Sequence, residues 1–484
     1  MHLNDQREVA AGRRDWLTWS AAGLLLAAIL IGGGGAEAPA LNGLLQAGGA
    51  MLLCLTAARH LSSRSLPSAA AVPLALLLLI LLLVLAQLVP LPPAWGDSLP
   101  GREAAASIYA LMDDKAASHP LSLDPEATRR FAAALLLPAG LFLAALQADD
   151  RGLVILAKTV VIGAGLSALL AAAQLIFGLP PQLFPYGLPG APVSTGLFAN
   201  PNHQAQLMLA AIIMSGFLIY SSPIWPRPRR PGNLPFHPAW LLIPLFMAGA
   251  LTTQSRAGLL LMVPALLAAI LIAARRRGLA RAFGLVIIAI PVLALVIAIV
   301  PGGLARGTEL QMELSAGGRI TNLPDILFTL RQFWPWGSGF GTFVPVFKAN
   351  ENLDLMGDAY VNHAHNDLLE LLIEGGLPMA VLLGAALVAM AVRLWRLTAA
   401  RDSSEPVPAL VGLAILLLAL IHSLVDYPLR MPSLAAVAAI ALAFFQSPAL
   451  RTAQDRRRST RLSGLDGGAR RSGTHGWAGD GASR

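Results

Sequence analysis

The sequence has very little of what stabilises soluble or cross-linked proteins. Cysteine is nearly absent, because Cys54 is the single one in 484 residues. This excludes a disulfide framework within the chain and a metal site built from cysteines. Charged residues make up only 13% of the chain, and the mean hydropathy is +0.64. A chain this poor in charge and this rich in apolar residues is not a soluble domain.

Three further absences narrow the possible functions. The formal charge is +8, but the basic residues are scattered between apolar runs, so the sequence predicts no nucleic-acid partner. Neither a repeat of about 20 to 50 residues nor an inverted repeat is evident in the sequence. We also expect no cleavable signal peptide, because Gly32–Gly35 and then more hydrophobic segments follow the first apolar segment.

What the sequence has instead is a series of long apolar runs. About twenty apolar residues cross a bilayer as a helix. The pattern predicts an all-α polytopic integral membrane protein with about twelve transmembrane helices. The expected segments are 16–34, 40–58, 71–90, 129–147, 152–177, 203–221, 238–253, 257–274, 280–300, 377–397, 408–424 and 432–447.

The basic residues predict the orientation of these helices. With the N-terminus on the inner side, most arginines fall in inner connections, which agrees with the positive-inside rule. The outer side then carries an acidic segment, 91–128, and a large loop between the ninth and tenth helices. The resulting division is an inner N-terminus 1–15, helices one to nine over 16–300, the outer loop with a catalytic segment 301–376, helices ten to twelve over 377–447, and a disordered basic inner tail 448–484.

The segment most suited to chemistry runs from Tyr360 to Gly376, YVNHAHNDLLELLIEGG. Its apolar spacing predicts a short helix that starts at a capping box of Asp367 and Glu370 and stops at Gly375–Gly376. His363, His365 and Asn366 then precede the N-terminus of that helix. Because a helix N-terminus favours anions and disfavours imidazolium, we predict a neutral histidine beside an anion site.

Three interpretations of this segment stay open. His365 can act as a general base while its neighbours His363, Asn366 and Asp367 bind or orient the substrate. The histidines can instead serve as structural caps of the helix. A zinc site of His363, His365 and Asp367 is disfavoured, because Leu368 stands where a third histidine would complete the pattern.

Two arginines are candidates for holding an anion. Arg256, in TTQSRAG, lies in the short connection between segments seven and eight. An arginine at the edge of the bilayer core either snorkels to the interface or has a functional partner. Arg319, in GGR of the outer loop, is either a solvated side chain or a partner of Arg256 against a pyrophosphate.

Asparagines precede segment six in the stretch Asn200-Pro-Asn202-His203. Asn200 and Asn202 suit a turn with a helix cap, and they also suit substrate binding. His203, at the start of a helix, is interpreted as interfacial rather than catalytic. An aromatic patch that includes Trp336 has turn-forming glycines around it, and its rings can stack on sugars or anchor the loop in the membrane interface.

Another polar cluster closes segment eleven in the stretch HSLVDYPLR. His422 and Asp426 are four positions apart, so we expect them to share one helix face and to pair. Together with Arg430 they form either a buried structural group or part of a substrate site.

The motifs GLFANPNHQA, QSRAG, GGR, PWGSGFGTF and HAHNDLLELLIEGG, in this order, resemble the O-antigen ligase and polymerase superfamily. That superfamily includes O-antigen ligases, O-antigen and exopolysaccharide polymerases, and protein O-oligosaccharyltransferases. The resemblance covers roughly residues 120–445. The family histidine, followed by Asn, Ser or Gln and later by glycine, falls on His365-Asn366 with Gly376. Pro378-Met379 departs from the pattern of some ligases, which leaves the subtype open.

The resemblance implies a GT-C-like helical enzyme in the bacterial inner membrane, with its active site and the 301–376 loop facing the periplasm and both termini in the cytoplasm. It implies transfer of a glycan from undecaprenyl diphosphate to an acceptor hydroxyl on a glycan, lipid A-core or protein. The reaction is expected to invert the anomeric centre without metal or cofactor. His365 would be the base, and Arg256 and Arg319 would hold the pyrophosphate.

The expected role is ligation or polymerisation of surface polysaccharide, O-antigen or exopolysaccharide. Two alternatives stay open, a protein O-oligosaccharyltransferase and, from a different class, a twelve-helix polysaccharide or lipid transporter. The large outer loop and the lack of a repeat between the two halves disfavour the transporter.

Overall fold

The computed structural model describes residues 2–62, 70–96, 98–112, 118–186, 193–222, 239–277, 321–352, 361–399 and 406–447. Helices dominate these residues. In chain order they are α1 (His2–Ile31), α2 (Pro39–Ser62), α3 (Ala71–Ala86), α4 (Pro93–Gly96), α5 (Glu103–Leu111), α6 (Pro125–Ala134), α7 (Leu136–Ala145), α8 (Asp150–Ile176), α9 (Pro201–Ser221), α10 (Ala239–Leu251), α11 (Arg256–Arg277), α12 (321–333), α13 (Phe343–Lys348), α14 (Asp367–Ala399), α15 (Val407–His422) and α16 (Pro432–Gln446).

The described helices coincide with eleven of the predicted transmembrane segments. Six of them are long and apolar enough to cross a membrane, and five shorter helices are also apolar. The fourth predicted segment consists of two helices, α6 and α7, which meet at Leu135. The ninth segment, 280–300, lies outside the described residues, as do 301–320 and the tail 448–484. The count of about twelve helices and the position of the large loop therefore stay predictions.

Helix α9 is the centre of the helical core. Every side chain from His203 to Tyr220 is buried, and α9 packs against α8, α10, α11 and α15. The opposite pattern marks α14, which exposes Leu377, Val381 and Trp395. Apolar side chains on the outside of a helix bundle are expected where lipid replaces water as the solvent. The buried start of α9 and the exposed length of α14 thus define the inside and the outside of the structure.

The two predicted outer segments pack against each other at one end of the bundle. Strand β1 (Pro90–Leu91) pairs antiparallel with strand β2 (His119–Pro120), so residues 91–118 form a closed excursion. The buried side chain of Gln87 holds this excursion to the other outer segment. Its amide donates to the Glu374 carbonyl at 2.9 Å, and its oxygen accepts from the Phe340 amide at 2.9 Å.

Helices α2 and α7 cross where two glycines meet. A Cβ on Gly49 would lie 2.5 Å from the Cα of Leu137, and a Cβ on Gly140 would clash with the carbonyl oxygen of Gly49. Small residues allow such close backbone contact, which supports helix association inside a membrane. The crossing therefore has no room for a side chain on either glycine.

We expect Gly49→Ala to destabilise the protein by about 1–3 kcal/mol, because the new methyl group forces α2 away from α7. Thermal unfolding of the detergent-solubilised protein measures the effect. Gly43→Ala is the matched control, since it lies on the same helix and has nothing within 4 Å of its added Cβ. Equal stability of the two variants would contradict the tight crossing.

Candidate functional site

The start of α14 is capped by Asn366. Its Oδ1 accepts from the amides of Leu368 and Leu369, each at 3.0 Å. The predicted capping box of Asp367 and Glu370 is therefore wrong. Asp367 already lies inside the helix, and Glu370 accepts from the Ala364 amide at 2.9 Å instead of returning to the cap. Because Asn366 does the capping, both carboxylates are available for contacts deeper in the structure.

The predicted helix stop at Gly375–Gly376 is confirmed as a break within α14. Gly376 has φ 58° and ψ −151°, a conformation outside the helical region that glycine adopts without a steric penalty. The Leu377 amide bonds the Pro335 carbonyl at 2.7 Å. The break thus separates the short polar helix over residues 367–375 from the apolar helix that follows it. The aromatic turn containing Trp336 packs against the chain at this break.

Three carboxylates of the short polar helix surround Arg430. Asp367, Glu370 and Glu374 are at most 2% exposed and lie on one helix face. The guanidinium nitrogens of Arg430 lie 2.8 Å from Glu374, 3.2 Å from Glu370 and 3.7 Å from Asp367. Burial lowers the pKa of Arg430, but the three carboxylates raise it by more, so the net shift is upward. With its guanidinium so occupied, Arg430 fits a structural role better than the predicted substrate contact.

His363 contacts Glu370, one of the three carboxylates around Arg430. Its Nδ1 lies 2.8 Å from Glu370 Oε1, and its ring packs on Tyr427 with 4.1 Å between ring centroids. Glu370 therefore contacts Arg430, the Ala364 amide and His363 at once. These contacts orient the His363 ring and leave only 18% of its side chain exposed.

His365 faces a different carboxylate. Its Nδ1 lies 3.4 Å from Asp426 Oδ1, and its side chain is 31% exposed whereas that of Asp426 is 1% exposed. The backbone of His365 is left-handed, with φ 49°, which histidine adopts more readily than most residues. The result is a partly exposed imidazole backed by a buried carboxylate.

Asp426 and Tyr427 lie at the centre of a group of three histidines, His203, His363 and His365, which we call the histidine cluster. Asp426 Oδ1 accepts from the Tyr427 amide at 2.9 Å, and Asp426 Oδ2 lies 3.4 Å from the Asn200 amide nitrogen. His203 approaches Asp426 at 3.9 Å and meets the Tyr427 ring edge-on. Burial, and then the Asp426 carboxylate, raise the pKa of Tyr427 to about 12, so its phenol stays neutral.

The predicted pairing of His422 with Asp426 stays a prediction. Helix α15 ends at His422, and in the turn that follows, the Asp426 amide donates to the His422 carbonyl at 3.0 Å. His422 is fully buried, and its Nδ1 contacts Gln206 Oε1 at 2.9 Å. This places His422 beneath the cluster rather than at the surface where a substrate would bind.

Asn200 caps its helix as one interpretation of its motif proposed, and its predicted substrate contact stays a prediction. Its Oδ1 caps α9 through the Asn202 amide at 2.8 Å, while its Nδ2 faces Asp426. Asn202 is partly exposed beside it. Trp336 is 49% exposed on the aromatic turn, which leaves a ring face for either proposed role.

Of the two arginines predicted to hold an anion, the structure describes Arg256. Arg256 is the first residue of α11 and is exposed. Gly258 packs on Ala205, so this end of α11 lies beside the start of α9, which carries Asn200 and His203. Arg319 lies outside the described residues.

Sequence reasoning missed Glu374 and the ion cluster to which it belongs. Glu374 repeats at helical spacing with Asp367 and Glu370 on an otherwise apolar stretch, a pattern that predicts a buried charged face. His203 was interpreted as interfacial, yet it is 1% exposed, and neither ring nitrogen has a hydrogen-bond partner among the described residues. No local pattern indicates its contact with Tyr427, because more than 200 positions separate the two in the sequence.

Removing the charge of Arg430 is expected to destabilise the site strongly. Arg430→Met leaves three buried carboxylates without a counter-charge, a loss of about 3–5 kcal/mol. Thermal unfolding measures it, with Arg129→Gln as control because Arg129 is exposed and pairs with Glu126 on its own helix. Adding Glu374→Gln to Arg430→Met should restore part of the loss, since one uncompensated charge is removed. A double variant no more stable than Arg430→Met would contradict this electrostatic account.

Comparison with known proteins adds one match to this geometry. Residues 239–384 match the family described as O-Antigen ligase. The matched region contains Arg256, Trp336, both histidines of the HAHND motif and the carboxylates of the short polar helix, and it confirms the resemblance to the O-antigen ligase and polymerase superfamily. A search of curated proteins finds no match. With its apolar helices, the chain is therefore consistent with a multi-pass membrane enzyme of glycan ligation or polymerisation.

Proposed function

We propose that this chain, similar to O-antigen ligases over residues 239–384, moves a glycan from undecaprenyl diphosphate to an acceptor hydroxyl at the periplasmic face of the bacterial inner membrane. The observation that carries the proposal is the partly exposed His365 beside the buried carboxylate of Asp426, in a segment within the family match. The His365 side chain is more exposed than that of His363, 31% against 18%, so this pair provides a positioned base that a substrate can reach.

His365 takes the proton of the acceptor hydroxyl. Because Nδ1 faces Asp426, Nε2 is the nitrogen that accepts this proton. The deprotonated oxygen attacks C1 of the donor sugar, the bond from C1 to the diphosphate oxygen breaks, and undecaprenyl diphosphate leaves. Asp426 stabilises the imidazolium that forms, as the carboxylate does in other carboxylate–histidine pairs. We expected the helix N-terminus to tune this histidine, and the Asp426 contact supplies a more direct partner.

Charge builds up on the departing diphosphate as the bond breaks. We assign its stabilisation to Arg256, which lies at the α9 end of α11, and to Arg319. A guanidinium can bind two phosphate oxygens with parallel hydrogen bonds, which an ammonium cannot do. Attack on C1 from the side opposite to the diphosphate inverts the anomeric centre.

The proposed reaction is metal-independent, with a separate carboxylate partner for each of the two neighbouring histidines. His363 directs Nδ1 to Glu370, and His365 directs Nδ1 to Asp426. Each imidazole is thus oriented by its own carboxylate rather than by a common point between them. On the acceptor side, Asn200, Asn202 and the exposed ring of Trp336 are the candidate contacts for sugar hydroxyls and ring faces.

We expect His365→Ala to reduce glycan transfer by about 100- to 10,000-fold, the usual cost of losing a positioned base. Asp426→Asn should also reduce transfer, because it removes the charge that stabilises the imidazolium. The measurement is surface polysaccharide together with undecaprenyl-linked glycan, extracted from cells that carry each variant at equal membrane abundance. The donor should accumulate while the product disappears.

His363→Ala is the matched control, since it lies two residues away and should keep substantial activity. Equal and mild losses in both histidine variants would show that these histidines are structural caps and would overturn the assignment.

A strain that lacks the protein separates the ligase, polymerase and protein-transferase subtypes. Unpolymerised single repeats on the surface identify a polymerase, full-length polymer left on the lipid carrier identifies a ligase, and loss of glycosylated protein alone identifies a protein transferase.

Arg256→Lys should impair transfer strongly although it keeps the charge, because lysine lacks the two-pronged geometry. The rate measured with the isolated lipid-linked donor tests this expectation. Arg275→Lys, at the far end of the same helix, is the control. Full activity of Arg256→Lys would leave Arg256 only the role of a point charge or a snorkelling side chain.

A further inference from the structure

A small cavity open to solvent lies in the excursion between α3 and α6, apart from the histidine cluster. Its lining includes Arg102 just before α5, Ala106 and Tyr109 of α5, and His119 of β2, and most of its empty space of about 380 Å³ is the open mouth. The rings of Tyr109 and His119 stack on one another, 3.6 Å apart and within 4° of parallel. Flat aromatic surfaces of this kind suit the face of a sugar ring.

Arg102 is the charged group of this cavity. It is 6% exposed, and Nη2 donates to the Gly337 carbonyl at 3.3 Å. Its Nε is buried and has no hydrogen-bond partner among the described residues. No carboxylate of those residues lies within ion-pair distance of it. Arg102 thus differs from Arg430, whose guanidinium contacts three carboxylates.

A buried guanidinium with an unsatisfied donor is unfavourable unless something binds it. Burial lowers the pKa of Arg102 to about 10, which shows how much the charged form loses by leaving water. Buried polar groups left unpaired in native proteins are uncommon, and each calls for an explanation such as a ligand. A carboxylate or phosphate would accept from Nε–H and compensate the charge.

The cavity is connected to the histidine cluster through the backbone. Arg102 bonds the Gly337 carbonyl, and Gly337 packs so closely on the Glu374 carbonyl that it has no room for a Cβ. Glu374 in turn binds Arg430. A ligand bound to Arg102 would therefore be connected, through Gly337 and Glu374, to the ion cluster that supports His363 and His365.

We propose that this cavity is a subsite for an acidic group, a carboxylate or a phosphate, carried by a sugar of the transferred glycan. The acidic group bonds Arg102, and the sugar ring lies at the mouth near the Tyr109 and His119 rings. The glycan as source of the group rests on the proposed function, whereas the binding of an acidic sugar by Arg102 does not. The subsite would select acidic repeat units over neutral ones.

The test is the thermal unfolding of the full-length protein in detergent, titrated with glucuronate, glucose 6-phosphate, inorganic phosphate and glucose. We expect at least one acidic sugar to stabilise the protein at concentrations where glucose does not. Arg102→Gln should raise the apparent Kd of that sugar about tenfold or more, because a hydrogen bond to a charged group is lost. Arg129→Gln, an exposed arginine on α6, should bind as the wild type does.

The relative binding of the four compounds identifies the acidic group or overturns the proposal. Preference for glucuronate identifies a carboxylate, and preference for glucose 6-phosphate identifies a phosphate. Inorganic phosphate binding as well as the sugar phosphate would overturn the assignment to a glycan. Equal stabilisation by glucose, or unchanged affinity in Arg102→Gln, would overturn the subsite.

A second variant keeps the test decisive if Arg102→Gln cannot be purified. Ala106→Leu fills the cavity without removing the Arg102 contact to Gly337, and it should also abolish the preference for the acidic sugar. His365→Ala should still bind the acidic sugar, since binding precedes transfer. Full transfer in His365→Ala with binding intact would therefore overturn the catalytic assignment alone, and a wild-type protein that transfers glycan but shows no preference for an acidic sugar would overturn the subsite alone.

Discussion

The ion cluster of Arg430 with three carboxylates is the interaction on which the site depends. The carboxylates come from the start of α14, and the arginine comes from the turn between α15 and α16. Buried charges must be paired, so these two parts of the chain have one arrangement that satisfies both. Glu370 also holds His363, and Arg430 follows Tyr427 by only three positions. The cluster therefore positions the polar helix, the histidines and the Asp426 turn relative to one another. Such a network contributes uniqueness of structure more than net stability.

Tyr427 keeps the imidazoles of the cluster apart. His203, His363 and His365 all contact its ring, with centroid distances between 4.1 and 5.1 Å. Its phenol stays neutral, so the ring acts as an inert wall between groups that carry or exchange protons. His363 and His365 consequently have different partners and exposures although one residue separates them in the sequence. This division of roles follows from tertiary packing and not from the motif.

Local patterns in the sequence were sufficient for most of the described helices and for the break at Gly376. These features depend on apolar spacing and on the backbone freedom of glycine, which act over a few residues. The partners of the charged residues depend on contacts between distant helices. Asp426 reaches His365 across 61 positions, and Gln206 reaches His422 across 216. That is why the capping box was misassigned to residues that pair elsewhere, and why the contacts of His203 and Glu374 were missed.

The order of the chain has a consequence for how the histidine cluster is assembled. Asn200 and His203 are translated early, His365 comes later, and Asp426 and Arg430 follow only after α15. Until that last turn is inserted, His365 lacks its carboxylate and the acidic face of α14 lacks its arginine. Because a chain is synthesised from the N-terminus onward, a partly synthesised protein already contains Asn200 and His203 but lacks the carboxylate that faces His365. The pair of His365 and Asp426, which the proposed function makes the base and its partner, is thus completed only near the end of synthesis.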